Sequence, residues 1–203
     1  MRQNPERRAA LIDAAIEVLA RDGMRGLTFR AVDAEAGVPI GTASNYFANR
    51  DDLLMQTGGR VYERLQPDSA AMPEARRDRD RLAELMREVV HRVADYRSGY
   101  LALLELRLEA TRRPGLRVVL TETIRADIAA NIDYHRTSGL PGDATTVELL
   151  HLALNWLILE RLTLPEVFPP ERLDALVEAA VERALPAEAK FSQETVIDHA
   201  PGQ

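Results

Sequence analysis

Apolar residues along this chain return every three or four positions, and no run shows the strict alternation of a half-buried strand. Leu11, Ile12, Ala15, Ile16 and Leu19 share one helical face. Asn4-Pro5 supplies the cap and first-turn proline ahead of them, and Gly23 closes the segment. Thr28 caps a short helix ending before Gly37, and Pro39 opens another running to about Tyr46. Asn49 caps a longer helix with Asp51 and Asp52 in its first turn, where the helix dipole favours anions. Residues 66–74, QPDSAAMPE, read as a linker. Five longer helices are predicted at about 75–97, 99–112, 115–138, 143–164 and 171–185, with breaks at glycine and proline clusters. Periodicity fades from Pro186, so 186–203 reads as a loose tail. The expected fold is all-α, with about nine helices.

Helix 143–164 is apolar on two sides. Val147, Leu150, Leu154, Leu157 and Ile158 cover one face, and Leu149, Leu152, Ala153, Trp156 and Leu159 much of the other. Both must be buried, and a second copy of the chain is the simplest cover for one of them. Helix 171–185 adds a stripe of Leu173, Leu176, Val177, Ala180 and Ala184. The expectation is a homodimer closed by a four-helix interface through Leu150, Leu154, Leu157, Ile158 and that stripe. The alternative is a monomer in which 171–185 fills the second face. Helix 99–112 carries Tyr100 and Arg107 on a flank between two leucine-rich faces. An arginine between apolar walls must be paired or reach water, and Glu105, Glu109 and Glu160 are candidate partners.

Residues 28–54 hold two short helices joined by a tight turn at Gly37, a helix-turn-helix pattern. On the second helix Ile40, Ala43 and Phe47 fall together and are expected to face inward. Gly41, Thr42, Asn45 and Tyr46 are left as a small, neutral, hydrogen-bonding surface suited to the DNA major groove. Asn can pair with adenine through both amide groups, and the Thr methyl can touch a thymine methyl. The Tyr46 hydroxyl and the Arg50 cation suit phosphates.

Composition narrows the choice. With 46% hydrophobic and 29% charged residues among 203, the chain is an ordinary globular protein. It has no cysteine, which excludes disulfides, thiolate zinc sites and a cysteine nucleophile. The longest apolar stretch, 152–162, is broken by Asn155, Glu160 and Arg161, and MRQNPERRAA leads into no signal core. No membrane contact and a cytoplasmic location are therefore expected. The net charge of −6 argues against a general polyanion binder. Residues 1–50, however, hold seven Arg against six acidic residues, so the excess negative charge lies entirely on the rest.

Across residues 7–54 the matching positions are Ala14-Ala15, Leu19, Gly23, Thr28-Phe29-Arg30, Ala36-Gly37-Val38, Gly41-Thr42, Tyr46-Phe47, and Arg50 before Asp52-Leu53-Leu54. With these the segment resembles the DNA-binding domain of the TetR family of transcriptional repressors. The resemblance implies that Thr28 caps the second helix and touches phosphate, and that Arg30 reaches a base or the backbone. It makes Gly41 and Thr42 recognition-helix contacts and Tyr46 a phosphate contact. Arg50 stands where the family usually has Lys, at the start of the fourth helix. The chain departs from the family at Pro39, often Ser, and at Ala43 and Ser44, commonly Leu and Tyr. The candidate DNA contacts are Thr28, Arg30, Gly41, Thr42, Ser44, Asn45, Tyr46 and Arg50. The resemblance further implies dimerisation through the last two long helices, a near-palindromic operator, and a small-molecule effector held in the middle helices. Tyr100, Arg107, Asn155 and Trp156 are the candidate pocket residues. The expected organisation is a DNA-binding head over 1–47, a connecting helix over 48–65, and a sensing and dimerisation body over 75–185.

Two rivals stand against this reading. Glu88-Val-Val-His91 and Glu148-Leu-Leu-His151 match the Glu-x-x-His pairs of ferritin-like di-iron bundles. His91, however, lies nearly opposite the apolar stripe of its helix, whereas a di-iron ligand points inward. A helical adaptor without DNA would share the helices and the dimer, but has no need of the Thr42, Asn45, Tyr46 and Arg50 surface. No Ser-His-Asp spacing, phosphate-cradling loop or dinucleotide fingerprint is present. No cofactor, metal or enzymatic activity is expected.

Overall fold

The computed structural model describes residues 4–65 and 79–185. The expected linker at 66–74 and tail at 186–203 lie outside the described residues. Nine helices and no strand occur among them. They are α1 (Pro5–Gly26), α2 (Phe29–Glu35), α3 (Ala43–Tyr46), α4 (Arg50–Leu65), α5 (Arg79–Asp95), α6 (Arg97–Ala110), α7 (Pro114–Ser138), α8 (Ala144–Thr163) and α9 (Pro170–Ala184). No helix among the described residues is long and apolar enough to cross a membrane.

Local chemistry sets the ends. The Asn4 side chain accepts from the amides of Glu6 and Arg7 at 2.9 and 3.3 Å, satisfying donors that the helix leaves open. Asp143 and Thr146 form a reciprocal capping box at the start of α8. Gly23 interrupts α1 with φ +65°, ψ −171°, a conformation open essentially to glycine alone. The last residues of α1 thereby turn away from the stretch 5–22.

The buried faces join head and body. Leu11, Ile16 and Leu19 of α1 pack with Val32, Ala43, Phe47, Leu53 and Leu54. The same cluster takes in Leu103 and Leu106 of α6 and Leu116 and Leu120 of α7. A second cluster, with Val90, Val93, Tyr100, Leu154, Ile158, Leu162 and Val177, binds α5, α6, α8 and α9. A third joins Leu150, Val181 and Leu185.

This packing divides the residues expected at the dimer face. Leu150, Leu154, Ile158, Leu173 and Val177 are buried within their own protomer, while Leu157, Leu176, Ala180 and Ala184 are half-buried. The opposite face of α8 is the exposed one, with Leu149 at 54%, Leu152 at 64% and Trp156 at 63% exposure. A helix apolar all round does not reveal which side its own chain covers. Here α5 and α9 cover the Leu150–Leu154–Ile158 side.

Candidate nucleic-acid interface

Thr28 opens α2 by accepting from the Ala31 amide at 3.1 Å. Gly37, at φ +62°, turns the chain after it. On α2, Asp33 is 1% exposed. Its carboxylate accepts from the amides of Gly41 and Ala43, each at 2.7 Å. One buried side chain thus fixes the approach to α3, and the two donated N–H groups offset the cost of burying its charge. No local pattern marks Asp33, because its partners lie eight and ten residues away.

The clamp changes the shape of the recognition segment. Pro39 to Thr42 form a turn rather than helix, with Gly41 at φ +93°, and α3 proper has only four residues. The helical spacing that placed Ile40 inward therefore does not apply. Ile40 points outward and is 73% exposed, while Ala43 and Phe47 are buried as expected. Ser44 and Asn45 are exposed; Gly41, Thr42 and Tyr46 are half-buried. The polar side chains of the segment donate to its own backbone: Thr42 Oγ1 to Pro39 O at 2.5 Å, Ser44 Oγ to Gly41 O at 2.8 Å, and Asn45 Nδ2 to Gly41 O at 3.0 Å.

Arg8, which the sequence pattern does not single out, braces the end of α3. Its guanidinium donates to Tyr46 O at 2.7 Å and to Gln56 Oε1 at 2.8 Å. It also lies 5.9 Å from the Tyr46 ring centre and 5.4 Å from that of Phe47. Arg30 is exposed on α2. Arg50 is exposed too, but its guanidinium donates to Met24 O at the end of α1. The amide of Met24 meanwhile donates to Glu105 Oε2 of α6 at 3.0 Å. Both peptide groups of Met24 are therefore held, one by the body and one by the connecting helix. At the foot of α4, Asn49 Oδ1 accepts from the Asp52 amide, and Asp52 Oδ2 accepts from the Ala48 amide, both at 2.9 Å.

The pocket candidates divide. Tyr100 is buried, and its hydroxyl donates to Asn155 O at 2.9 Å. Asn155 Nδ2 donates to His151 O at 2.8 Å. Burial pushes the Tyr100 hydroxyl up to about 12 and raises that of Tyr62 on α4, while the nearby Arg107 cation acts to lower both. Burial also raises the Asp127 carboxyl and lowers the His151 imidazole, whose charges act on each other. Tyr62, Tyr100, Arg107, Asp127 and His151 thus form one electrostatic cluster drawn from α4, α6, α7 and α8. Sequence spacing picked out Tyr100 and Arg107 for a pocket and His151 only as half of a Glu-x-x-His pair; Tyr62 and Asp127, on other helices, it did not single out. Arg107 is exposed rather than enclosed. Two of its expected partners are engaged elsewhere, Glu105 with Met24 and Glu109 with Arg112 and Arg113. Trp156 belongs to the exposed face of α8, not to this cluster.

The Glu-x-x-His pairs do not converge on one site. Glu88, Glu148 and His91 are exposed. His91 lies between Arg161, 3.1 Å from Nδ1, and Asp174, 3.4 Å from Nε2. No group of three or more His, Asp or Glu among the described residues is placed to hold a metal ion.

Two family profiles match the chain. That of bacterial regulatory proteins of the tetR family covers residues 11–57, and the tetracyclin repressor-like C-terminal domain covers 77–187. The multidrug binding protein EbrR, solved with imidazole, is 31% identical with a TM-score of 0.67, over 92% of this chain and 99% of that one. Its ethidium complex is 32% identical with a TM-score of 0.65, over 90% and 100%. The HTH-type transcriptional regulator BetI of Rhizobium meliloti (strain 1021) is 36% identical over 84 residues, 41% of each chain. The match thus spans about two fifths of the length of that relative.

Proposed function

This chain belongs to the TetR family of transcriptional regulators, and from that premise we propose that it acts as a homodimeric repressor released by a small molecule. The observation that carries the DNA half is the clamp by which Asp33 holds the turn before α3. It leaves Ser44 and Asn45, the middle two residues of α3, exposed on the element that enters a major groove. A single short α3 reads only a half-site, so the operator is near-palindromic and read by two protomers. The exposed Leu149, Leu152 and Trp156 face of α8 is the surface by which they pair. Thr28, Arg30 and Tyr46 contact the phosphate backbone, and Thr42, Ser44 and Asn45 the base edges. Arg50 holds the end of α1 and adds its charge to the phosphate-facing side. The protein acts where the chromosome is, in the cytoplasm.

The effector site is the cluster of Tyr62, Tyr100, Arg107, Asp127 and His151, with Asn155 behind it. EbrR carries small ligands in its solved complexes, which supports a ligand here. Effector and operator each prefer one arrangement of the heads, so each weakens the other's binding by the same factor. A coupling of about 1–3 kcal/mol changes affinity roughly 5- to 150-fold. Selection from a random duplex pool with the whole protein, at stated salt, tests the reading. A palindrome is expected to be enriched and to be lost in the Thr42→Ala, Tyr46→Ala double variant. A folded dimer that enriches nothing at low salt refutes it.

A further inference from the structure

Ile40 is the most exposed of the large hydrophobic side chains among the described residues, at 73%. It sits in the turn immediately before α3, whose N-terminal end leads into the groove in helix-turn-helix proteins. Its place is fixed from both sides. Pro39 restrains the backbone before it, and the amide of Gly41 after it is held by buried Asp33 at 2.7 Å. The side chain is β-branched and has few rotamers to lose on contact. The neighbouring Thr42, Ser44 and Asn45 donate hydrogen bonds to the turn itself. An isoleucine can make no hydrogen bond to a base edge. Among the standard bases, the apolar group displayed in the major groove is the 5-methyl of thymine.

We infer that Ile40 is a specificity-determining residue that packs on the 5-methyl group of one thymine in each operator half-site. The inference rests on the operator-binding reading above. It moves the thymine-methyl contact from Thr42, where the sequence pattern put it, to a side chain that the pattern had turned inward.

The test uses the full-length protein and the duplex enriched from the random pool, resynthesised with deoxyuridine in place of each thymidine in turn. Losing one buried methyl is expected to weaken binding about fourfold, and about fifteenfold when both half-sites are changed. Ile40→Ala is expected to bind the parent duplex with that same deficit and to be indifferent to deoxyuridine at the sensitive position. Ile40→Val, which keeps the branch, is expected to retain most of the sensitivity. Because Ile40 is exposed, all three proteins are expected to melt together. The inference is overturned if no thymine is sensitive to demethylation, or if Ile40→Ala keeps the full penalty, which would return the methyl to Thr42. A pool that enriches no duplex refutes the operator reading itself and this inference with it, at the first step.

Discussion

Asp33 links α2 to the recognition turn by accepting from the backbone amides of Gly41 and Ala43. Asp33→Ala leaves both donors without their acceptor and is expected to lower stability by about 2–4 kcal/mol, read by chemical denaturation. Asp33→Asn, with one carbonyl oxygen left, is expected to lose about half of that. His151 gives a second residue-scale expectation. Burial lowers its imidazole below the ordinary 6.5, so the unfolded chain takes up a proton before the folded one does. Stability is then expected to fall as pH drops through 6.5 and toward the folded value. His151→Gln should flatten that slope, measured as melting temperature between about pH 7.5 and 5.5. Such residues differ in how far sequence discloses them. Asn4, Thr28 and Asn49 cap within three positions, and their roles follow from local spacing. Arg8 reaches Tyr46 across 38 positions, and only the folded path brings the two together.

At the scale of the elements, the breaks before α7, α8 and α9 were legible because glycine and proline punctuate the periodicity there, whereas the break between α5 and α6 falls at Tyr96 and the expected one at Ser98-Gly99 lies inside α6. The second half of the helix-turn-helix was not, because a left-handed Gly41 replaces the first helical turn. Gly23 does similar work in α1, where its conformation lets Met24 meet α6. Gly23→Ala is expected to destabilise the protein by about 1–3 kcal/mol through backbone strain. The added methyl itself has room, lying 3.5 Å from the Glu105 carboxylate. A loss well under that range would show that α1 straightens to accept the substitution. For α8, periodicity revealed two apolar faces but not which of them α5 and α9 cover. That choice depends on helices at the far ends of the body.

At the scale of the whole molecule, α8 carries an outward apolar face that the described residues leave uncovered. A Leu152→Glu, Trp156→Glu double variant is expected to be a folded monomer by light scattering, with operator affinity reduced to that of a half-site. Neither side chain belongs to the buried clusters, so helix content should be unchanged. If the variant remains dimeric, the protomers pair elsewhere. Charge is also divided at this scale. The acidic excess lies outside the first fifty residues, so phosphate binding falls to the head and should be strongly salt-dependent.

The grip on Met24 acts through its peptide N–H and carbonyl, not through its thioether. Any amino acid other than proline presents the same two groups at that position. The hydrogen bonds of the join between head, body and connecting helix are therefore indifferent to side-chain drift at residue 24, whose side chain contributes separately by packing against the shared core, and their identity resides in Glu105, Arg50 and the glycine that precedes it. Two homologous chains can differ at this point and still carry the same mechanical connection, so the surest mark of the joint in a relative is a carboxylate and a cation far apart in the chain.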